Sequence, residues 1–414
     1  IITAFVAGLY PAVYLSSFKP ATVLKGKNRD KGSAVLLRKV LVTFQFVISI
    51  VLISSILVIS NQVDFLFNKD LGFQTGSKII LPLNSNDASE NYALLKKQFA
   101  SLGGVSGVAA TNFIPGTRIT NDILIFKDGQ TMDDAVYILN NSVDEDYLKT
   151  LNIDLLAGRN FTVSDYQDTV YRRVIINKAA TEQLRLSVNE AVGEVLHFDW
   201  QGQSFTFQVV GVSQDINQNS LHQEIQPMMF AVNNGGFQYL VAETTAQNFE
   251  VVKDQMSQKW AEVLPNDPFE PFPLDIHIQN QYESDIKTFN LIQFFAFISI
   301  FISCMGLYAL SMFVAERKFK EIGVRKALGA NVKDILILVS RELSILVVVS
   351  FFIAIPIAYY SILQWLDSFA YKITPSISTF ILSGIISVGI AWLTISYQSI
   401  RASQTNPTDT LRAE

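Results

Sequence analysis

Side chains able to do acid–base or metal chemistry are few in this 414-residue chain, and they are scattered. The histidines His197, His222 and His277 have no partner at metal-ligand spacing, so each reads as a surface or core histidine. Asp144, Glu145 and Asp146 adjoin one another but lack the ligand spacing and turn glycine of a calcium loop. They read as acids favoured at a helix N-terminus. No serine sits in a Gly-x-Ser-x-Gly elbow, and the single cysteine, Cys304, leaves no disulfide within the chain. The expectation is a protein without catalytic, cofactor-binding or metal-binding residues.

The informative stretch does a different kind of chemistry, that of docking. It runs Glu316-Arg317-Lys318-Phe319-Lys320-Glu321-Ile322-Gly323-Val324-Arg325-Lys326-Ala327-Leu328-Gly329-Ala330. Glu316, Lys320 and Glu321 have spacings that allow side-chain pairs on a helix, and Leu328 to Ala330 lead into a turn at Gly329. A short helix at the membrane surface is predicted. Gly323, Ala327 and Gly329 let another backbone come close, and Arg325 and Lys326 can meet carboxylates on a partner.

The elements that must position this loop are membrane helices. The chain is 49% hydrophobic and 17% charged, too apolar for an ordinary soluble chain of this size. Its apolar residues gather into runs at 40–60, 291–314, 343–363 and 380–397, each near the length needed to cross about 30 Å of hydrocarbon. None of the four carries an internal charge, which argues against an ion or proton path. Gln45 is the main polar residue in the first run and is expected to make an interhelical hydrogen bond. Residues 1–18 are also apolar and read as the end of a further membrane helix.

Between Lys19 and Lys39 there are seven basic residues against one acid, and between Glu316 and Glu342 seven against four. Residues 64–287 hold 15 basic and 29 acidic residues. Basic loops stay inside, so both loops and the C-terminus are predicted to be cytoplasmic and the long segment external. Residues 58–67 and 282–289 read as helical extensions that carry this segment on stalks.

The long segment shows two similar ends. Residues 78–83, a helix with Leu95, Phe99 and Leu102 on one face, and 105–113 form one strand–helix–strand unit. Residues 237–242, a helix with Phe249, Val252, Met256, Trp260 and Val263, and an extended 272–278 form the other. The halves are expected to meet, with a second subdomain between them: a strand at 173–176, a helix at 178–186, and a strand through Phe205, Phe207 and Val209 to a turn at Gly211.

Residues 316–330, directly after a membrane helix, resemble the cytoplasmic loop of the FtsX/MacB family of ABC permeases. The family's order of one helix, a large outer domain and three more helices is also the order of residues 40–414. The segments NSVDEDYLKTLNIDLLAGRNF and FQVVGVSQD are similar to recurring parts of its periplasmic core domain. Pro20-Ala21-Thr22-Val23-Leu24-Lys25 and Pro407-Thr408-Asp409-Thr410-Leu411-Arg412 share a Pro-x-x-x-Leu-basic pattern that in this family follows the last helix of a permease unit.

The resemblance therefore implies the C-terminal unit of a tandem permease. Its fold would be an α-helical membrane protein with four complete transmembrane helices, a truncated one ahead of them, and an α+β extracytoplasmic domain of porter-like and sabre-like subdomains. The implied divisions are the truncated helix at 1–18, a cytoplasmic linker at 19–39, a helix and stalk at 40–62, the core domain at 63–286, and the FtsX-like region at 287–414 with its cytoplasmic loop at 315–342.

No Gly-x-x-x-x-Gly-Lys-Ser/Thr occurs in the chain, so it lacks the loop that cradles ATP phosphates. The resemblance implies that a separate ABC ATPase binds ATP and pushes on Glu316, Arg317, Glu321, Ile322, Gly323, Arg325, Lys326, Ala327, Leu328, Gly329 and Ala330. Motion would then pass outward, a mechanotransmission serving export or extraction of a peptide, lipid or lipoprotein. An alternative is a regulator or sensor of the same build that activates a cell-wall hydrolase or responds to antimicrobial peptides. A non-ABC membrane-anchored receptor or enzyme stands third. Expected partners are the ATPase, the bilayer of the bacterial inner membrane, a second permease unit, and a periplasmic adaptor, outer-membrane channel or hydrolase, with no nucleic acid.

Overall fold

The structure, a computed structural model, describes residues 31–168, 170–244, 249–318, 321, 324–325 and 328–403. The expected helix at 1–18 and both proline segments lie outside these residues. The chain divides into two units, one of Ile1–Ser60, Phe289–Gln364 and Thr374–Glu414, the other of Asn61–Thr288 with Trp365–Ile373.

Helix α1 (Lys31–Asn68) is longer at both ends than the apolar run that predicted it. The second unit then begins with β1 (Lys78–Pro82), the short helices α2 (Asn86–Glu90) and α3 (Tyr92–Ala100), and β2 (Val105–Thr111). It is completed after a long insertion by β10 (Tyr239–Thr244), α6 (Phe249–Val263), β11 (Phe272–Pro273) and α7 (Leu274–Asn280). The two ends do interleave: β10 pairs antiparallel with both β1 and β2.

Alternation explains why this sheet is buried on both faces. Ile79, Leu81, Val108, Ala110, Leu240 and Ala242 face α3 and α6, where they meet Leu95, Phe99, Val252, Met256 and Trp260. Ile80, Ala109 and Val241 face the opposite way, toward Phe73, Tyr147, Phe230 and Leu274. Residues 272–278 are not extended throughout as expected. After two strand residues α7 begins, burying Leu274 and packing Ile278 at the next turn.

The insertion supplies β3 (Asp122–Lys127), β4 (Val136–Val143), α4 (Tyr147–Thr150), β5 (Leu155–Gly158), β6 (Arg172–Asn177), α5 (Lys178–Gln183), β7 (Val195–Trp200), β8 (Gln203–Ser213) and β9 (Met228–Val232). Strand β4 pairs with β3 through its first half and with β9 through its second, so the pairings β4-β3-β7-β8-β6-β9 close into a ring. Ile123, Ile138, Val174, Leu196, Phe207 and Met229 form its apolar filling together with Ala180 of α5 and Leu184 just after it.

Gly211 is not a turn, as the sequence suggested, but an interior residue of β8. There β5 approaches so closely that a Cβ would stand 2.7 Å from the Arg159 carbonyl oxygen.

The three adjoining acids also have a different role from the one expected. Asp146 precedes α4 but makes no side-chain cap. Instead the Lys96 ammonium of α3 lies 2.8 Å from Asp144, 3.3 Å from Glu145 and 2.7 Å from Asp146. Asp144 also accepts the Ala110 amide at 2.7 Å, tying α3, β2 and the end of β4 together. Burial pushes the Asp144 carboxyl up to about 6, against the pull of Lys96. Burial acts to lower Lys96, but its carboxylate neighbours, Asp144 foremost, outweigh burial and hold it above its usual range.

The chain ends with α8 (Glu283–Arg317), α9 (Val332–Leu366) and α10 (Ile377–Ser403). Among the described residues α1, α8, α9 and α10 are the four helices long and apolar enough to cross a membrane. Hydroxyl pairs join them: Ser49 to Ser299 and Ser303 at 2.9 Å each, Ser54 to Ser383 at 2.8 Å, and Ser350 to the Thr43 carbonyl at 3.0 Å. Small hydroxyl residues allow close approach, and each such bond adds of the order of 1 kcal/mol. Gln45 departs from expectation. It lies against Gly306, where a Cβ would stand 2.3 Å from its Oε1, and that oxygen has no hydrogen-bond partner.

Removing Lys96 would leave a buried carboxylate uncompensated, so Lys96→Met is expected to destabilise the protein by about 3–5 kcal/mol. The sign of its pH dependence follows from Asp144, whose folded-state value lies above that of an unfolded carboxylate. Lys96 pulls this carboxyl down, so without it the carboxyl rises above about 6 and the variant must ionise a group at a cost the parent does not bear as pH climbs past that value. The deficit of the variant should therefore be larger at pH 8 than at pH 5, as read from denaturation midpoints of the purified full chain.

Candidate functional site

The loop singled out in the sequence begins where α8 ends. Glu316 and Arg317 close that helix and are exposed. Glu321, Val324 and Arg325 are helical, and the Arg325 guanidinium donates to the Glu321 carboxylate one turn earlier at 2.9 Å. Ile322, Gly323, Lys326 and Ala327 lie outside the described residues.

Gly329 stops this short helix. Its φ of +91° is the left-handed conformation that glycine adopts without cost, and the Ala330 amide donates back to the Arg325 carbonyl at 2.9 Å. That is the long hydrogen bond of a glycine-terminated helix end. The next helix is capped at once: the Asp334 carboxylate accepts the Asn331 amide at 3.0 Å, and the Asp334 amide donates to the Asn331 carbonyl at 3.0 Å.

A turn fixed from both sides presents Val324 and Leu328 on adjacent turns, 53% and 82% exposed. These side chains form an apolar knob bordered by the Glu321–Arg325 pair. Val324 was not among the residues selected from the sequence, because a single valine in a basic loop has no pattern to mark it. Its position one helical turn before Leu328 was the available signal.

A second feature missed in the sequence fixes the base of this loop. Glu342 of α9 lies 3.1 Å from the Lys318 ammonium and 3.8 Å from Lys39 of α1, joining three helices through one carboxylate. Arg38 lies over the Phe313 ring at 4.7 Å, adding a cation–π contact between α1 and α8.

In the other unit, a cluster gathers around the end of α1, the start of α8 and the loop between α9 and α10. Residues Trp365–Ile373, which connect α9 to α10, belong to this unit. The Gln62 amide donates to the Tyr371 carbonyl at 3.0 Å and accepts the Ile373 amide at 2.9 Å. His222 stacks on Phe369 with centroids 4.0 Å apart, and its ring nitrogens meet the Ser368 carbonyl at 2.9 Å and the Asp285 carboxylate at 3.1 Å. Leu66, Leu221, Tyr282 and Phe369 fill the space beneath. His222 is thus neither a free surface residue nor a core residue but a bridge between the start of α8 and the loop that connects α9 to α10.

Residues 41–264 match the family described as MacB-like periplasmic core domain, and residues 293–407 match that described as FtsX-like permease C-terminal. An uncharacterized ABC transporter permease of Bacillus subtilis (strain 168), YvrN, is 24% identical over 290 residues, covering 66% of this chain and 69% of that relative. The periplasmic region of MacB from Actinobacillus actinomycetemcomitans aligns with 11% identity, 52% of this chain, 96% of that one and a TM-score of 0.36. The extracellular domain of the noncanonic ABC-type transporter YknZ from Gram-positive bacteria aligns with 17% identity, 45% of this chain, 93% of that one and a TM-score of 0.31.

Any side chain at position 329 must adopt the left-handed region. Gly329→Val is expected to cost about 1–3 kcal/mol of local strain and to loosen the helix end. Limited trypsin digestion should cut between Lys318 and Lys326 faster in this variant than in the parent. Gly329→Asn should behave closer to the parent, because asparagine tolerates that conformation.

Proposed function

The chain belongs to the family of ABC transporter permeases that join a MacB-like periplasmic core domain to an FtsX-like C-terminal domain, and from that premise we propose that it is the lever of its complex. A membrane subunit of this kind works with an ABC ATPase, and this chain brings four membrane helices and an extracytoplasmic α+β domain to that partnership. In the proposed mechanism, nucleotide-driven closure of the ATPase subunits displaces the short helix around Glu321, Val324, Arg325 and Leu328 from the cytoplasmic side of the bacterial inner membrane.

The observation that carries this reading is the knob itself. A solvated loop has no use for a leucine that is 82% exposed at the tip of a doubly capped turn. A hydrophobic socket on a partner does, because burying such a side chain there releases about 1.5–3 kcal/mol. Stiff helices support the onward step. At 1.5 Å per residue, α1 with 38 residues and α8 with 35 are each over about 50 Å long, well beyond the hydrocarbon thickness. Rigid elements of that length pass on a displacement where flexible linkers would absorb it. The bridge at Glu342 would make α1 and α9 share any movement of the end of α8.

The outward motion would serve export or extraction of a peptide, lipid or lipoprotein. A regulatory output on a periplasmic partner uses the same lever and differs only in what the outer domain grips.

Leu328→Asp is expected to reduce permease-stimulated ATP hydrolysis about tenfold or more while membrane insertion is unchanged, since a charge cannot enter an apolar socket without its hydration. Exchanging the charges as Glu321→Lys with Arg325→Glu keeps the internal pair but reverses the surface beside the knob, and it should also uncouple. Normal stimulation in both variants would show that the ATPase does not dock here.

A further inference from the structure

Helices α9 and α10 leave a groove between them on the membrane unit. It consists of two adjoining hollows of about 410 and 340 Å³, both lined by Val348. One hollow has Arg341 and Trp392 at its wall, the other Phe351, Gly384 and Ile385. Position 384 lacks a side chain, and a Cβ there would stand 2.3 Å from the Phe351 ring, so glycine is what lets Phe351 lie down against α10.

The length and polarity of this groove select an occupant. From Arg341 to Phe351 the groove follows ten residues of α9, about 15 Å at 1.5 Å per residue. That is half of a hydrocarbon layer of about 30 Å, or the depth of one leaflet. Its walls are apolar throughout, and at the end nearest the loop after α8 the aliphatic stem of the exposed Arg341 forms part of them.

Arg341 is exposed and has no carboxylate partner among the described residues. The neighbouring Glu342 is already engaged by Lys39 and Lys318. At the same level the Trp392 indole donates to Ser344 at 3.1 Å, leaving a tryptophan at the depth where such rings anchor to headgroups. A second membrane helix would fill the apolar part but leave the cation unanswered.

We propose that this groove binds one anionic glycerophospholipid of the cytoplasmic leaflet, with an acyl chain along Val348 toward Phe351 and the phosphate on Arg341. A planar guanidinium with several donors matches a phosphate diester, and the water-poor headgroup region strengthens the pair. The site lies on α9, which also carries Glu342, so an occupied groove would brace the helix on which the cytoplasmic loop is anchored.

The test is native mass spectrometry of the delipidated full chain, titrated with phosphatidylglycerol and, separately, phosphatidylcholine. The first phosphatidylglycerol should bind at least about tenfold more tightly than phosphatidylcholine. Arg341→Gln should abolish that preference, and Arg341→Lys should keep part of it. Gly384→Leu, which fills the apolar end and leaves the cation in place, should weaken both lipids. Equal binding of the two lipids by the parent would overturn the proposal, as would a preference that survives Arg341→Gln. A dimer that takes up neither lipid would also overturn it, by showing that protein covers the groove.

Discussion

Hydrocarbon offers no hydrogen-bond partner to a backbone amide, and this constraint organises the chain from end to end. Each crossing must be one uninterrupted helix, because any break would expose amides and carbonyls to lipid. Helices α1, α8 and α9 that meet this demand are longer than the hydrocarbon is thick. The same lack of water makes small hydroxyl residues useful inside the layer. Ser49, Ser54, Ser299, Ser303, Ser350 and Ser383 satisfy one another or a nearby carbonyl and bring helices close enough for dispersion contacts to matter.

Outside the bilayer the same requirement takes another form. Strands buried on both faces need partners along every edge, and the second unit provides them by bringing distant segments into one sheet of eleven strands, with β10 between β1 and β2. Where charge is buried it is paired at once: Lys78 lies directly across from Glu243, and Lys96 is held by three carboxylates. Such pairs are weak evidence for net stability, but they are costly to leave half-made, which fixes the register in which the elements must close.

The two regions singled out as functional follow one design rule. Each holds a short connecting segment on a backbone with little freedom. In the loop after α8, Gly329 and Asp334 fix the turn that presents Val324 and Leu328. In the other unit, His222 and Gln62 fix the loop between α9 and α10 by hydrogen bonds from both ends of their side chains.

The four membrane-length helices and the glycine-ended turn at Gly329 were legible in the sequence because each depends on local quantities: apolar length and glycine at a helix end. The strand–helix–strand units were legible for the same reason, since periods of 2 and 3.6 are written in neighbouring residues. Where a short window fits both periods, the sequence could not choose. Phe272, Leu274, Ile276 and Ile278 alternate like a strand, yet only Leu274 is fully buried and Ile276 is 49% exposed, because the core receives a helix there.

What the tertiary structure alone decided were pairings between residues far apart in the chain. Asp144 read as a helix acid until folding placed Lys96 beside it. Gly211 read as a turn until β5 came to lie against it, and His222 had no role until Asp285 and Ser368 arrived from other segments. A residue's type sets which interactions it can make. The partner is chosen by the closure of the whole chain, and no local pattern records that choice.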